Sequence, residues 1–471
     1  MYKLRRDKSM RDGLVFLLWF LTFVVVAMLI YDVHTSWTAN EALRDLLLDE
    51  EFEGAAFKKN FDEVMSLQEV YAWLRGPFLN GLWVTEDGAT GDPLPPHLVG
   101  SPYGVYTVVG GARLRQVRVR SGTCENTDYP GLPWECYGQF SFGETDDHSE
   151  IRRERWWRDE AIQALFGWTP PDSFGSGAFP VFLPARNPEA AWCVLAFLER
   201  GRWLNVATRA LVAEVSLYNQ ATRMNVAFRV FFYIYPTGLM VKAARLYAAP
   251  IDPYGTVSGK VRGGLEVLFL LLTIFHIQKE VRRAYRAPKF VTYLFTVGTF
   301  FDVAILVAAA AAIVLWGSYI LSPTRRFFDA TRPDFVDGFP DAEFCVQVLT
   351  YAGFLQLLFA LRMFKFFSVN RRMQILGLTL GRAQSALWSF VLALLLITLA
   401  FALFGELVFG PYMRDFKSGG WALSTVLRWP LGDFDYDALG RAQPALAGPY
   451  FVLFIVIIFL VFLNLILDII S

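Results

Sequence analysis

The sequence is poor in the residues that build catalytic and metal centres. It has 4 Cys and 4 His in 471 residues, which excludes a disulfide-dense scaffold, and the histidines are too scattered to form a metal or hydrolytic site. Net charge is also absent, with 44 Lys+Arg against 44 Asp+Glu, so the composition gives no support for nucleic-acid binding. We therefore expect neither an enzyme nor a nucleic-acid-binding protein.

Charged residues are scarce, at 19 %, whereas hydrophobic residues make up 54 %, against about 25 % and roughly 45–50 % in soluble domains. The apolar residues occur in long uncharged blocks. A bilayer core needs roughly 20 helical residues to cross it. Five blocks are near or above this length: 13–31, 303–324, 344–361, 383–405 and 442–467. Each block is a predicted membrane-spanning helix.

A sixth, weaker block lies at 267–278, between Glu266 and Lys279, and reaches membrane length only when it is extended upstream. An acidic residue such as Glu266 within a bilayer is costly and usually has a partner. The sequence thus predicts six transmembrane helices. Lys and Arg are concentrated before the first helix and after the second and fourth, which places both termini in the cytoplasm.

The stretch between the first two helices is then extracellular and long enough to fold as a domain. Its alternating and apolar runs predict strands, its periodic runs predict helices, and its Gly- and Pro-rich segments predict loops. Strands are expected at 114–120 and 226–235, helices at 40–48 and 157–165, and loops at 86–104 and 168–188. We predict an α+β extracellular domain.

Two cysteines of this domain, Cys124 and Cys136, lie twelve residues apart. In an oxidising compartment they are candidates for a disulfide; a zinc site is the alternative, although no His lies nearby at ligand spacing. Cys193, also in this domain, is expected to be buried. Cys345, at the start of the fourth helix, is expected to be an apolar filler.

The segment that joins the last two helices contains a short apolar stretch, 420–429, followed by Pro430 and Leu431-Gly432-Asp433. A half-membrane helix followed by a Gly-containing turn is the layout of a re-entrant pore, where irregular backbone is satisfied by protein or water. An ordinary acidic turn is the alternative. In a four-fold assembly, Asp433 would form a ring of carboxylates that attracts cations and repels anions.

Several short motifs, spread over nearly the whole sequence, resemble those of the polycystin-2 group of transient-receptor-potential channels. The pore segment, with Arg428 before Leu431-Gly432-Asp433, is similar to the family's Arg-x-x-Leu-Gly-Asp filter. Further similarity lies in Leu361-Arg362-Met363-Phe364-Lys365-Phe366, Leu407-Val408-Phe409-Gly410, Arg115-Gln116-Val117-Arg118-Val119-Arg120 and Glu214-Val215-Ser216-Leu217-Tyr218-Asn219.

The resemblance implies a homotetrameric, non-selective cation channel that passes Ca2+, Na+ and K+, typically in cilia, with the extracellular domains forming a lid over the pore. It implies a disulfide between Cys124 and Cys136, a selectivity filter made of Leu431, Gly432 and Asp433 with transient Ca2+ at Asp433, and no resident cofactor. The family's lower gate corresponds to Leu467 and Ser471, where the Leu carries over and the family's Asn does not. A polycystin-1-like subunit is an implied alternative partner.

Two basic residues of the fourth helix, Arg362 and Lys365, are three apart and share a face. They are either voltage-sensor-like charges or residues that snorkel to the membrane interface. Glu266 and Asp302 are candidate counter-charges, and Asp302 is expected to lie nearer Lys365. Positive charges follow in the linker, where they either contact anionic lipid headgroups or only set orientation: Arg371, Arg372 and Arg382.

Two functions compete on the sequence alone. The first is a gated cation channel, and the second is a membrane anchor or adhesion scaffold whose large extracellular domain binds an extracellular partner while the pore stays mostly closed. The predicted organisation is a cytoplasmic stub at 1–12, helix one at 13–32, the extracellular domain at 33–260, helices two to four with their linker at 261–382, and the pore domain at 383–471.

Overall fold

The computed structural model describes most of the chain. The described residues are 2–30, 33–54, 57–86, 90–95, 98–124, 136–140, 179–185, 187–287, 293, 297–326, 328–367 and 391–470. They fall into two compact units, Met1–Glu150 with Ser176–Phe366, and Ile151–Gly175 with Phe367–Ser471. Each unit is described by itself.

The first unit consists of four long helices and an α+β domain inserted between the first two of them. The long helices are α1 (Tyr2–Ile30), α5 (Val257–Tyr285), α6 (Val297–Ile320) and α7 (Phe339–Phe367). The inserted domain contains α2 (Val33–Arg44), β1 (Phe52–Glu53), β2 (Lys58–Lys59), α3 (Leu67–Trp73), β3 (Tyr106–Arg118), β4 (Phe179–Leu183), α4 (Pro188–Arg200), β5 (Thr208–Asn219), β6 (Met224–Ile234) and β7 (Met240–Pro250). Shorter helical turns lie at Asp45–Asp49, Phe61–Glu63, Leu74–Asn80, Pro102–Gly104 and Pro323–Arg326.

The inserted domain is built on an antiparallel sheet with the strand order β4-β3-β5-β6-β7. Side chains alternate between its two faces, so one face of β5, with Leu211, Ala213 and Val215, joins helices α2 to α4 in the main hydrophobic core. The predicted strands at 114–120 and 226–235 and the helix at 40–48 are confirmed. The predicted helix at 157–165 lies outside the described residues.

The loop expected at 168–188 is wrong where β4 forms. Phe179–Leu183 pairs antiparallel with β3, with Pro180 opposite Arg115. Proline lacks the N–H that an interior strand needs, but an edge strand tolerates it because one side of its backbone has no ladder partner. The Pro-rich composition therefore masked an edge strand.

The four long helices of the first unit share a core of aromatic and aliphatic residues. Its members come from α1, α5, α6 and α7: Phe16, Trp19, Phe23, Phe269, Ile305, Ala309, Leu355 and Phe359. Large apolar side chains on the other faces are exposed, such as Leu271 at 58 % and Val307 at 64 %. Helices that are apolar on all sides are typical of a membrane.

The second unit, where described, holds four helices. These are α8 (Val391–Phe409), α9 (Gly419–Arg428), α10 (Tyr436–Ala442) and α11 (Pro444–Ile470). Aromatic residues dominate their shared core, with Phe409, Phe416, Trp429, Tyr450 and Phe454 all buried. Over the whole described chain, five helical segments are long and apolar enough to cross a membrane, in α1, α5, α6, α7 and α8, and α11 adds the apolar stretch Pro444–Leu460.

The cysteines behave in three ways. Cys124 and Cys136 form a disulfide with a Cα–Cα distance of 5.9 Å, which confirms the pairing and removes the zinc alternative. Cys345 is buried, as expected, but the prediction for Cys193 is wrong, because it is exposed. Helix α4 buries Ala191 and Leu195, and a residue two positions from each points to the opposite side of the helix.

Candidate functional site

The segment between α8 and α11 contains a short helix that ends in a tight turn. Helix α9 ends at Arg428 and continues as a 3-10 turn, Trp429–Leu431, in which Pro430 provides a preset backbone angle. Gly432 closes the turn in the left-handed region, with φ 90°, a conformation that favours glycine. Its N–H donates to the Trp429 carbonyl at 2.9 Å, so the chain reverses directly after the helix.

Trp429 anchors this turn in the core of the second unit. Its side chain is 3 % exposed, and its ring packs on three rings of α11, those of Tyr450, Phe451 and Phe454, at centroid distances of 5.3–5.5 Å. Helix α9 is also held before the turn, where the Thr425 hydroxyl donates a hydrogen bond to the Asp415 carbonyl at 3.1 Å. The turn is therefore held by buried aromatic contacts.

The predicted filter residues lie at the exposed tip of the turn. Leu431 is 85 % exposed, and the Asp433 side chain is 65 % exposed. The Arg428 guanidinium donates to the Asp433 carboxylate, with Nη1–Oδ2 at 2.8 Å. Asp435, which follows, accepts from the Ala438 N–H at 2.8 Å and so caps α10. Asp433 and Asp435 thus each have a contact of their own.

The predicted lower gate falls on the last part of α11. The backbone of Leu467 belongs to this helix, but its side chain and the whole of Ser471 lie outside the described part. The same holds for the linker residues Arg371, Arg372 and Arg382. These residues stay predictions.

The predicted voltage-sensor-like charge Arg362 has a partner within the helix bundle. Its guanidinium forms an ion pair with the Asp302 carboxylate of α6, and the two side chains are 7 % and 18 % exposed. Burial of such a charge in a helix bundle requires a counter-charge of this kind. The side chain of Lys365 lies outside the described residues, so the expected proximity of Asp302 to Lys365 stays a prediction.

Glu266, the other candidate counter-charge, has different partners. It accepts from Arg262 one turn earlier on α5, with Nε–Oε1 at 3.0 Å, and from the Tyr254 hydroxyl at 2.6 Å. Arg262 is 3 % exposed and also donates to the Leu29 carbonyl at the end of α1, at 3.1 Å. Glu266 therefore belongs to a network that joins α1 to α5.

A row of charges across the sheet was not predicted. Arg113, Glu214, Arg229 and Arg245 lie directly opposite one another on β3, β5, β6 and β7. Glu214 is 2 % exposed and pairs with three guanidinium groups at 2.6–2.7 Å, those of Arg113, Arg115 and Arg229. This face of the sheet carries more arginines than acidic residues. Arg229 lies opposite Arg245, and like charges in opposed positions repel.

The linker before α7 and the first turns of α7 supply the missing acids. Asp337 pairs with Arg113 at 2.7 Å and with Arg229 at 3.4 Å, and Glu343 pairs with Arg245 at 3.3 Å. The approach is close, since a Cβ on Gly110 would clash with the backbone carbonyl of the preceding linker at Asp334. The sequence signal was the acidic composition of that linker, but only strand register shows which arginines face it.

The row has a clear electrostatic consequence at Glu214. Burial alone would raise the pKa of its carboxyl, but the positive charges of Arg115 and Arg229 and the hydrogen bonds it accepts outweigh burial. Its pKa therefore lies below the ordinary value, and the carboxylate stays charged at neutral pH. Burial would likewise lower the pKa of Arg113, but the Glu214 and Asp337 carboxylates raise it above its ordinary value.

Apolar helices with an inserted α+β domain and a helix–turn segment ahead of the last apolar helix define a multi-pass membrane protein. Comparison with known families agrees: residues 60–251 match the Polycystin domain and residues 258–471 match the Polycystin cation channel. The chain belongs to the polycystin family. Because this is a family of ion channels, the prediction that the chain is not an enzyme is confirmed.

Three curated relatives illustrate the similarity. Polycystin-2 of Danio rerio is 24 % identical over 98 % of this chain and 51 % of its own length. Polycystin-2-like protein 1 of Homo sapiens is 23 % identical over 88 % of this chain and 52 % of its own. More distant, Polycystin-1-like protein 3 of Mus musculus is 20 % identical over 87 % of this chain and 19 % of its own. The chain thus spans about half the length of the first two relatives.

Proposed function

We propose that this chain forms a homotetrameric, non-selective, Ca2+-permeable cation channel with six transmembrane helices per subunit, namely α1, α5, α6, α7, α8 and α11. Helix α9 is its pore helix, and Leu431, Gly432 and Asp433 form the selectivity filter. The single observation that carries this proposal is the turn after α9, which exposes Leu431 and Asp433 while Trp429 anchors it in an aromatic core. Family membership supports the same conclusion.

The proposal extends to topology and partners. The Lys and Arg clusters favour cytoplasmic termini and an extracellular inserted domain, in a ciliary or plasma membrane. Similarity to a polycystin-1-like protein supports such a subunit as an alternative partner in the assembly. No resident cofactor is required, since the permeant ions Ca2+, Na+ and K+ are the cargo. Arg362 acts as a voltage-sensor-like charge together with Lys365, and Leu467 and Ser471 form the lower gate.

The test is a planar-bilayer recording of purified tetramer under bi-ionic Ca2+/K+ conditions, with Asp433→Asn beside the wild type. Loss of one carboxylate per subunit from a filter ring weakens Ca2+ binding by roughly tenfold, so the Ca2+ concentration for half-block of K+ current rises. The matched control is Asp437→Asn, which removes the same charge from the first turn of α10 and is expected to have a much smaller effect.

The outcomes separate the alternatives. Cation currents with a selectivity altered by Asp433→Asn but not by Asp437→Asn support both the channel and the filter. Currents that respond equally to the two variants keep the channel but place the filter elsewhere. Silence from an intact tetramer favours the membrane anchor, in which the inserted domain binds an extracellular partner.

A further inference from the structure

Arg428 and Asp433 are joined twice across the turn after α9. The guanidinium Nη1 lies 2.8 Å from the Asp433 Oδ2, and the Asp433 N–H donates to the Arg428 carbonyl at 3.4 Å. The guanidinium is further oriented by contacts with the preceding turn, donating to the Ser424 carbonyl at 3.4 Å and to the Thr425 hydroxyl at 3.5 Å. The two side chains remain 47 % and 65 % exposed.

The buried neighbours of this pair set its geometry in advance. Trp429 directly follows Arg428 and is fixed in the aromatic core, and Gly432 directly precedes Asp433 in a left-handed turn. The backbone on both sides of the pair is therefore defined. A guanidinium is a cation whose planar fork suits a carboxylate. Asp433 thus has a permanent, tethered cation beside it.

We propose that Arg428 is a built-in competitor of the permeant ions: it occupies the Asp433 carboxylate and thereby lowers the affinity of the filter for Ca2+. This inference rests on the proposed function of Asp433 in the filter. Ca2+ binds through carboxylate and carbonyl oxygens, so it must displace the guanidinium or share the carboxylate with it. In a tetramer each carboxylate of the ring is matched by one guanidinium, which favours a non-selective pore over a Ca2+-selective one.

The experiment measures Ca2+ block of K+ current and the bi-ionic Ca2+/K+ reversal potential for Arg428→Gln. Since an exposed ion pair contributes little on its own but recurs in every subunit, the Ca2+ concentration for half-block is expected to fall about 2- to 10-fold. The matched control is Arg441→Gln, which removes one positive charge from an exposed residue of α10. It is expected to change the half-block concentration by less than half as much as Arg428→Gln does. In the Asp433→Asn background, Arg428→Gln is expected to have no further effect on block.

The variants distinguish failure of this inference from failure of the filter assignment. If Asp433→Asn leaves selectivity unchanged, the filter assignment is wrong and the inference falls with it. If Asp433→Asn acts but Arg428→Gln matches Arg441→Gln, the filter stands and Arg428 contributes only diffuse charge, which overturns the inference. The inference is also overturned if Arg428→Gln acts equally with and without the Asp433 carboxylate.

A third variant covers the case in which Arg428→Gln assembles but does not conduct. Arg428→Lys keeps the positive charge as a compact ammonium without the planar fork. Conduction by Arg428→Lys with a half-block concentration within about twofold of the wild type supports a charge competing at Asp433. Silence of Arg428→Lys in an intact tetramer assigns Arg428 a structural role in the turn and overturns the inference.

Discussion

Helix α7 is held in different ways at its two ends. Near its first residue, Asp337 and Glu343 pair with arginines of the sheet, and the Phe339 ring lies under the Arg229 guanidinium at 3.7 Å. Near its last residues, the described side chains include one ion pair with a neighbouring helix, Arg362 with Asp302. One end is thus joined to the sheet by several ion pairs. The other is joined to α6 by one ion pair and to α1, α5 and α6 by the apolar core that contains Leu355 and Phe359.

The two ends of α7 differ in how many ion pairs must break to release them. Separating its first turn from the sheet requires breaking several charge-assisted hydrogen bonds together with an aromatic contact, and such contacts act as a unit. Separating Arg362 from Asp302 requires breaking one pair. The described ion pairs therefore hold the start of α7 more strongly than its end, where apolar packing of Leu355 and Phe359 makes the remaining contacts. The inserted domain therefore holds the start of α7 in place through these contacts.

The largest predicted effect tests the charge row of the sheet that contacts the start of α7. Glu214→Gln removes the charge on which Arg113, Arg115 and Arg229 converge. Removing one partner of a buried pair leaves uncompensated charge and costs about 3–5 kcal/mol. We expect a clearly lower melting temperature for the purified full chain in detergent, measured by tryptophan fluorescence. The matched control is Glu199→Gln, whose pair with Arg75 is partly exposed, at 34 % and 45 % for the two side chains, and is worth about 0–1 kcal/mol.

Acid titration checks the cause. The pKa of Glu214 is lowered in the folded protein, so its contribution is present above the ordinary pKa of a glutamate and is lost as pH falls through the lowered value. The melting temperature of the wild type should therefore fall more steeply in acid than that of Glu214→Gln. Equal slopes would mean that the carboxylate is not the source of the stability.

The sequence predicted the long helices and the α+β domain because their signals are local. Uncharged runs of membrane length and alternating strands can be recognised without knowing what they pack against. The strand β4 was missed because its Pro180 is typical of loops, and only the position at the sheet edge makes it acceptable. The prediction that Cys193 is buried was wrong, because burial at this position depends on which face of α4 meets the core.

Charge partners were harder to predict than elements. The assignment of Asp302 or Glu266 as the counter-charge of Arg362 depended on which helices face each other, and the bundle brings Asp302 to Arg362 and leaves Glu266 with Arg262. The row that includes Glu214 was invisible because strand register sets it, and its arginines lie far along the chain from Asp337. Local patterns contain no information about such pairings.

An intermediate effect is expected at the other end of α7. Asp302→Asn removes the carboxylate that pairs with Arg362 in the helix bundle, at a cost of about 2–3 kcal/mol. Adding Arg362→Gln should recover part of this loss, since the charge that needed compensation is gone. The measurement is unfolding of the purified chain in mixed detergent micelles for both single variants and the double variant. Strict additivity would show that the two residues do not stabilise each other.

The smallest predicted effect tests the contact between the linker before α7 and the sheet. Asp337→Asn removes the charge that Arg113 and Arg229 share with the linker, but an amide oxygen still accepts from the Phe339 N–H, which Asp337 now binds at 3.2 Å. Because Glu214 still compensates both arginines, the expected loss is about 1–2 kcal/mol. It should be accompanied by faster amide hydrogen exchange in the first turns of α7 and unchanged exchange in β5.

Asp334→Asn, in the same linker and exposed, is the matched control and should change stability by less than about 0.5 kcal/mol. If Asp337→Asn and Asp334→Asn are equivalent, the acids act only as diffuse charge, and the start of α7 is held by its apolar contacts. If exchange in β5 rises as well, the linker and the sheet open as one unit. In that case the start of α7 is part of the inserted domain.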